Sequence, residues 1–118
     1  MELTDCPSSP NCVSTEAFRK RQGVAPFALA RTDAWPEIKS TILSLPRTKL
    51  AQENDSFLHV ECRSALFRFI DDLEVQVRSA EGRLAVRSGA RIGFYDFGVN
   101  RRRVKRLREM LRSRGIIK

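Results

Sequence analysis

Apolar and polar residues alternate most cleanly between residues 67 and 78. Phe67, Phe69, Leu73, Val75 and Val77 keep one parity, while Arg68, Asp72, Glu74, Gln76 and Arg78 keep the other. A period of two marks a strand with one face buried. The sequence Ser79-Ala80-Glu81-Gly82 supplies a turn, and Leu84, Val86 and Ser88 continue the inward parity on the following strand. Pairing Val77 with Leu84 sets Val75 opposite Val86 and Glu74 opposite Arg87. Upstream, residues 48 to 53 read as a strand, Asn54-Asp55 as a turn, and residues 57 to 63 as its partner. In that partner Leu58, Val60 and Cys62 share one face, leaving Phe57, His59, Glu61 and Arg63 on the other.

Two stretches carry helical spacing instead. Trp35, Ile38, Ile42 and Leu45 recur every three or four residues, with Asp33 placed to cap the helix, Pro36 tolerated in its first turn and Pro46 ending it. Val104, Leu107, Met110 and Leu111 form the stripe of a helix over residues 99 to 113, closed by Gly115. Residues 1 to 31 hold Pro7, Pro10 and Pro26, with Pro36 just beyond, and lack sustained periodicity; they read as an extended, loop-rich lead wrapping the domain. The pattern predicts an α+β fold: a four-stranded antiparallel sheet packed with two helices, in the order α-β-β-β-β-α. It predicts a single domain over residues 1–118, with its core in 32–113.

A chain of 118 residues can bury one core without staples, and 42% apolar with 31% charged residues excludes a disordered segment. No apolar run approaches the about 20 residues that a spanning helix needs, so no transmembrane segment is expected. The opening Met-Glu-Leu-Thr-Asp lacks the basic and apolar regions of a secretory leader. A cytoplasmic protein is expected if that start is natural, and an extracytoplasmic one if a leader was removed. Three cysteines, an odd number, lean toward a reducing compartment. The net charge of +8 favours acidic partners, and nine of the basic residues lie from Arg101 to Lys118, offset only by Glu109.

Four groups could carry chemistry. Cys6 and Cys12 enclose two prolines and Asn11, so the segment reads as a structural loop, with its thiols reduced or joined in a small disulfide. A zinc site would need two further ligands; His59 and Cys62 are the remaining sulfur or imidazole candidates, and on one strand they point to opposite faces. No metal or cofactor is therefore expected. His59, the only histidine, lacks an orienting partner in sequence and reads as a surface residue. Asp71 has the parity of the apolar face, where a carboxylate needs a cationic partner; Arg87 and Arg91 are the natural candidates, unless a bulge at Asp71-Asp72 turns both carboxylates outward. Finally, residues 87 to 101 (RSGARIGFYDFGVNR) place glycines, hydroxyls and arginines before a helix start. That composition suits an anion, yet it fits neither a Walker loop nor a dinucleotide fingerprint. Asp96 or Asn100 would then cap the helix.

Residues 6 to 15 (CPSSPNCVST), the Trp35 helix, residues 57 to 74 (FLHVECRSALFRFIDDLE) and residues 87 to 103 (RSGARIGFYDFGVNRRR) together resemble the domain-of-unknown-function family numbered 1499. The resemblance covers nearly the whole chain in the family's order and implies no activity. Two departures stand out. The family commonly reads Arg-Ser-Ala-Ser-Arg where this chain has Gly89 and Ala90, and it often has serine where this chain has Tyr95. Its relatives occur with and without export leaders, which leaves the compartment open.

Three functions follow. The first is a non-catalytic binding or interaction module in which Asp71, Asp72, Arg87, Ser88, Arg91, Asp96, Asn100 and Arg101 hold an anionic small molecule or an acidic protein segment. The second is an enzyme with Asp71 or Asp72 as general acid or base. The third is nucleic-acid binding through the basic terminal helix, with Phe94, Tyr95 and Phe97 as its nearby aromatics.

Overall fold

The structure is a computed structural model and describes residues 2–65 and 69–118. Phe67 and Arg68, expected in the third strand of the meander, lie outside the described residues. The elements run β1 (Cys12–Ser14), β2 (Phe27–Ala28), α1 (Trp35–Leu43), β3 (Thr48–Glu53), β4 (Phe57–Arg63), β5 (Ile70–Arg78), β6 (Arg83–Ala90) and α2 (Val99–Ser113). The architecture is α+β with two helices and an antiparallel sheet, but the sheet has six strands where four were expected. The two additional strands come from the lead. β1 pairs Cys12 to Ser14 with Gly89 to Arg87, and β2 pairs Phe27 and Ala28 with Leu84 and Arg83.

The rest of the sheet is a meander in the order β6-β5-β4-β3. Its register is the one that alternation dictates: Val77 faces Leu84, Val75 faces Val86 and Glu74 faces Arg87. The β5 ladder runs unbroken through Asp71 and Asp72 on both sides, so no bulge turns these carboxylates out. The bulge lies in edge strand β3, where pairing slips between Leu50 and Gln52. Phe69 precedes β5 and is exposed instead of facing inward.

Leu58, Val60, Cys62, Leu73, Val75, Leu84 and Val86 form one buried face, packed with Ile38 and Ile42 of α1 and Val104, Leu107 and Leu111 of α2. The first helix begins after Ala34, which occupies the cap position without a side-chain bond; Asp33 does not cap it. Gly115 closes α2 with φ of 71°, a left-handed conformation that glycine adopts without penalty. The helix also clamps the lead. Arg101 donates to the carbonyls of Gly23 and Arg21, Arg108 donates to those of Pro26 and Ala25, and the Arg108 guanidinium lies 4.1 Å from the Phe27 ring centre. No helix among the described residues is long and apolar enough to cross a membrane.

Candidate functional site

The site grows from a polar cluster buried where α2 begins over the sheet. Asp71 points toward the helices because its parity is that of Leu73, and there it meets Arg103, with Nη1 2.9 Å from Oδ2. The same nitrogen donates to Asn100 Oδ1 at 2.7 Å and Ser88 Oγ at 3.3 Å, while Ser88 Oγ donates to Asn100 Oδ1 at 2.7 Å. The Asn100 amide in turn donates to the Asn11 carbonyl and to Asp96 Oδ2. Gly98 holds the cap position of α2, and Asp96, two residues before it, accepts from the Gly98 and Asn100 backbone N–H groups. Asn11 closes the network by donating from Nδ2 to the Gly93 carbonyl at 2.6 Å.

Burial and hydrogen bonding shift the carboxyls of this cluster in opposite directions. It pushes the Asp71 carboxyl above the ordinary aspartate value, against the lowering pull of Arg103. Burial also raises Asp96, but the hydrogen bonds from Asn100 and Gly98 outweigh it and hold this carboxyl below the ordinary value. Cys62, opposite Asp71 in the ladder, is buried and accepts a long hydrogen bond from the Thr48 hydroxyl at 3.7 Å; burial pushes its thiol up, away from the thiolate that a nucleophile needs.

Of the eight residues that the sequence grouped as one ligand site, four converge here: Asp71, Ser88, Asp96 and Asn100. The others are elsewhere. Asp72, Arg87 and Arg91 belong to the opposite face of the sheet, as the parity of β5 and β6 requires. There Arg91 grips Asp72 at 2.6 Å and Glu61 at 3.0 Å, and His59 Nε2 lies 2.7 Å from Asp72 Oδ1. Burial alone would raise Asp72, yet Arg91 and His59 hold it below the ordinary value. Arg87 stands 4.0 Å from Glu74, whose carboxylate accepts from the Thr4 backbone and hydroxyl. Arg101 is turned toward the lead, as described above. The partner of Asp71 is therefore Arg103, in place of Arg87 or Arg91. A sequence signal for it existed: Arg103 lies between Asn100 and Leu107 at helical spacing, on the edge of the buried stripe.

Cys6 and Cys12 form a disulfide with Cα atoms 5.7 Å apart. Cys12 lies across Gly89, where a Cβ would come 2.9 Å from its sulfur. Glycine at that place thus leaves room for the Cys12 sulfur. His59 and Cys62 stand on opposite faces, as their spacing requires.

Two hollows open beside the buried cluster and meet at Ser64 and Val99. The first, about 420 Å³, is lined by five arginines, Arg47, Arg63, Arg102, Arg103 and Arg106, together with Thr48 and Cys62. Among the described residues, Arg47, Arg63, Arg102 and Arg106 form no ion pair; Arg47 donates to the Arg63 carbonyl and Arg102 to that of Phe97. The second, about 340 Å³, is walled by Phe69, Ile92, Tyr95, Phe97 and Val99, with Asp71 and Asp96 at its base. The Asp71–Arg103 pair is the partition: its carboxylate borders one hollow and its guanidinium the other. Sequence reading missed the basic hollow because its arginines come from three separate segments, and only Arg102, Arg103 and Arg106 share a helix.

The family model described as "Protein of unknown function (DUF1499)" matches residues 2–111. No curated protein and no solved structure matches the chain.

Proposed function

The chain belongs to the DUF1499 family, and we propose that this member is a non-catalytic binding module whose ligand is an anion held in the arginine-lined hollow. One observation carries this reading: Arg47, Arg63, Arg102 and Arg106 converge on a single cavity without a carboxylate to neutralise them among the described residues. Guanidinium forks match the oxygens of phosphate and carboxylate groups, and Thr48 and Ser64 add polar groups to the wall. Arg103 differs from its neighbours because Asp71 already holds it. The buried cluster then positions α2, and the ligand contacts belong to the arginines one turn away.

Catalysis is the weaker reading. Asp72 is engaged by Arg91 and His59, Asp71 by Arg103, and the Cys62 thiol is pushed away from its reactive form. Nucleic-acid binding by α2 is weakened by the use of Arg101, Arg108 and Arg112 as donors to carbonyls of this chain. The Cys6–Cys12 bridge supports placement in an oxidising compartment, where such bonds persist.

Thermal unfolding in inorganic phosphate and in pyrophosphate tests the anion site. Ligand binding to the folded state should raise the melting temperature in step with concentration. Replacing both Arg63 and Arg106 by alanine should remove that rise. The two residues are exposed, so the variant's own stability should change by no more than about 1 kcal/mol. Absence of any anion-dependent rise, or its persistence in the double variant, would refute the assignment.

A further inference from the structure

We propose that residues 92–97 form an aromatic tip which inserts into the surface of an anionic bilayer, with lipid headgroups supplying the anion for the neighbouring arginines; the electrostatic half of this rests on the anion site proposed above. Ile92, Phe94 and Tyr95 are 62 to 70% exposed and Phe97 is 85% exposed. They form one patch. The Phe94 and Tyr95 rings meet edge to face with centroids 5.4 Å apart, and Tyr95 stacks toward Phe97 at 6.4 Å. Exposed aromatics gathered in this way mark an interaction surface, whereas scattered ones need no explanation.

The backbone holds Phe97 outward. Its φ of 54° is left-handed, which is uncommon for a residue with a bulky side chain. The conformation is fixed on both sides: the Gly98 N–H donates to the Asp96 carboxylate, and Arg102 Nη1 donates to the Phe97 carbonyl at 2.9 Å. An unfavourable backbone geometry is thus maintained to present a phenyl ring to solvent.

Charge selects the occupant. Arg102 and Arg106 border the basic hollow on one side of the Tyr95–Phe97 pair and supply the cations for headgroups, while Arg21 and Arg101, which donate to carbonyls of this chain, add positive charge around the cavity on the other. Among the described residues the basic hollow has no acidic lining, and Asp96, the acidic residue of the other cavity, is engaged by the backbone at the start of α2. An apolar tip between cations fits a surface that offers hydrocarbon under anionic headgroups. A second copy fits poorly, because pairing the patch with itself would bring the flanking arginines of two +8 chains together.

The full chain should co-sediment with vesicles of phosphatidylcholine containing roughly 30% phosphatidylglycerol in about 150 mM salt, and bind pure phosphatidylcholine far less. Replacing Phe94 and Phe97 together by serine should lower the partition coefficient about tenfold or more, while the phosphate-induced rise in melting temperature is retained. Replacing Arg63 and Arg106 by alanine should diminish both readouts. Vesicle binding that survives loss of the two phenylalanines overturns the proposal, as does failure to bind vesicles while the phosphate effect persists; in that last case the anion site stands alone. Loss of both effects in the unmodified chain refutes both readings. A dimer in solution that the double serine variant converts to monomer assigns the patch to self-association and overturns the membrane assignment.

Discussion

Arg103 and Arg106 stand one turn apart on the same helix yet occupy opposite surroundings. Arg103 is largely buried and donates to Asp71, Asn100 and Ser88, whereas Arg106 is exposed and has no ion pair among the described residues. The difference teaches where function can reside. A cation neutralised by a buried carboxylate of its own chain contributes to architecture, and one that lines a cavity without such a counter-charge is available to an anionic ligand. The same contrast separates the sealed cluster under α2 from the two hollows beside it.

The largest expected effect comes from breaking the sealed side. Arg103→Ala leaves the Asp71 carboxylate buried without its counter-charge and should cost about 3–5 kcal/mol in urea unfolding. Arg106→Ala should stay within about 0.5 kcal/mol. Similar losses for the two would erase the distinction between them.

An intermediate effect is expected where the lead crosses the sheet. Gly89→Ala puts a methyl group 2.9 Å from the Cys12 sulfur, and overpacking of this kind costs about 1–3 kcal/mol. The bridge itself contributes about 2 kcal/mol in the chain-entropy treatment of a loop this short. In a background with both Cys6 and Cys12 replaced by serine, the added methyl should cost measurably less. Equal costs in the two backgrounds would show that the bridge and Gly89 are not coupled.

The smallest effect is a change of slope with pH. The folded value of Asp71 is raised, so between the ordinary aspartate value and the raised one the folded state holds more proton, and stability falls as pH rises. Asp96 and Asp72 act oppositely: their folded values are lowered, so their stabilisation is lost as pH falls through those values. Asp71→Asn removes the opposing contribution, and stability should climb more steeply just above the ordinary aspartate value, by at most about 1.4 kcal/mol per pH unit. An unchanged or shallower slope in urea titrations across that range would contradict the assignment.

The meander was legible because its strands are six to nine residues long, which is enough for alternation to fix both face and register. β1 and β2 were not, because three and two residues carry no period; only their pairing to β6 makes them strands. The end of α2 was announced by Gly115, while the start of α1 was misplaced because Ala34 caps it without a side-chain signal. Asp71 was legible as an inward carboxylate from strand parity, and Ser88, Asp96 and Asn100 as polar residues of the segment that leads into α2. Their separation from Asp72, Arg87 and Arg91 was also written in the alternation of β5 and β6, and grouping by sequence proximity obscured it. The hollows had no such trace, since they depend on which loops fold against one another.

The double attachment of the lead to β6 sets an order of assembly. The meander joins neighbours across short turns, but residues 12–14 and 27–28 find their partners at positions 83–89. What leaves the ribosome early must therefore wait for much of the chain before it can dock. A segment that precedes the meander in sequence can dock only once β6 is in place, and the cost of closing so long a loop falls on the step that adds it to the sheet.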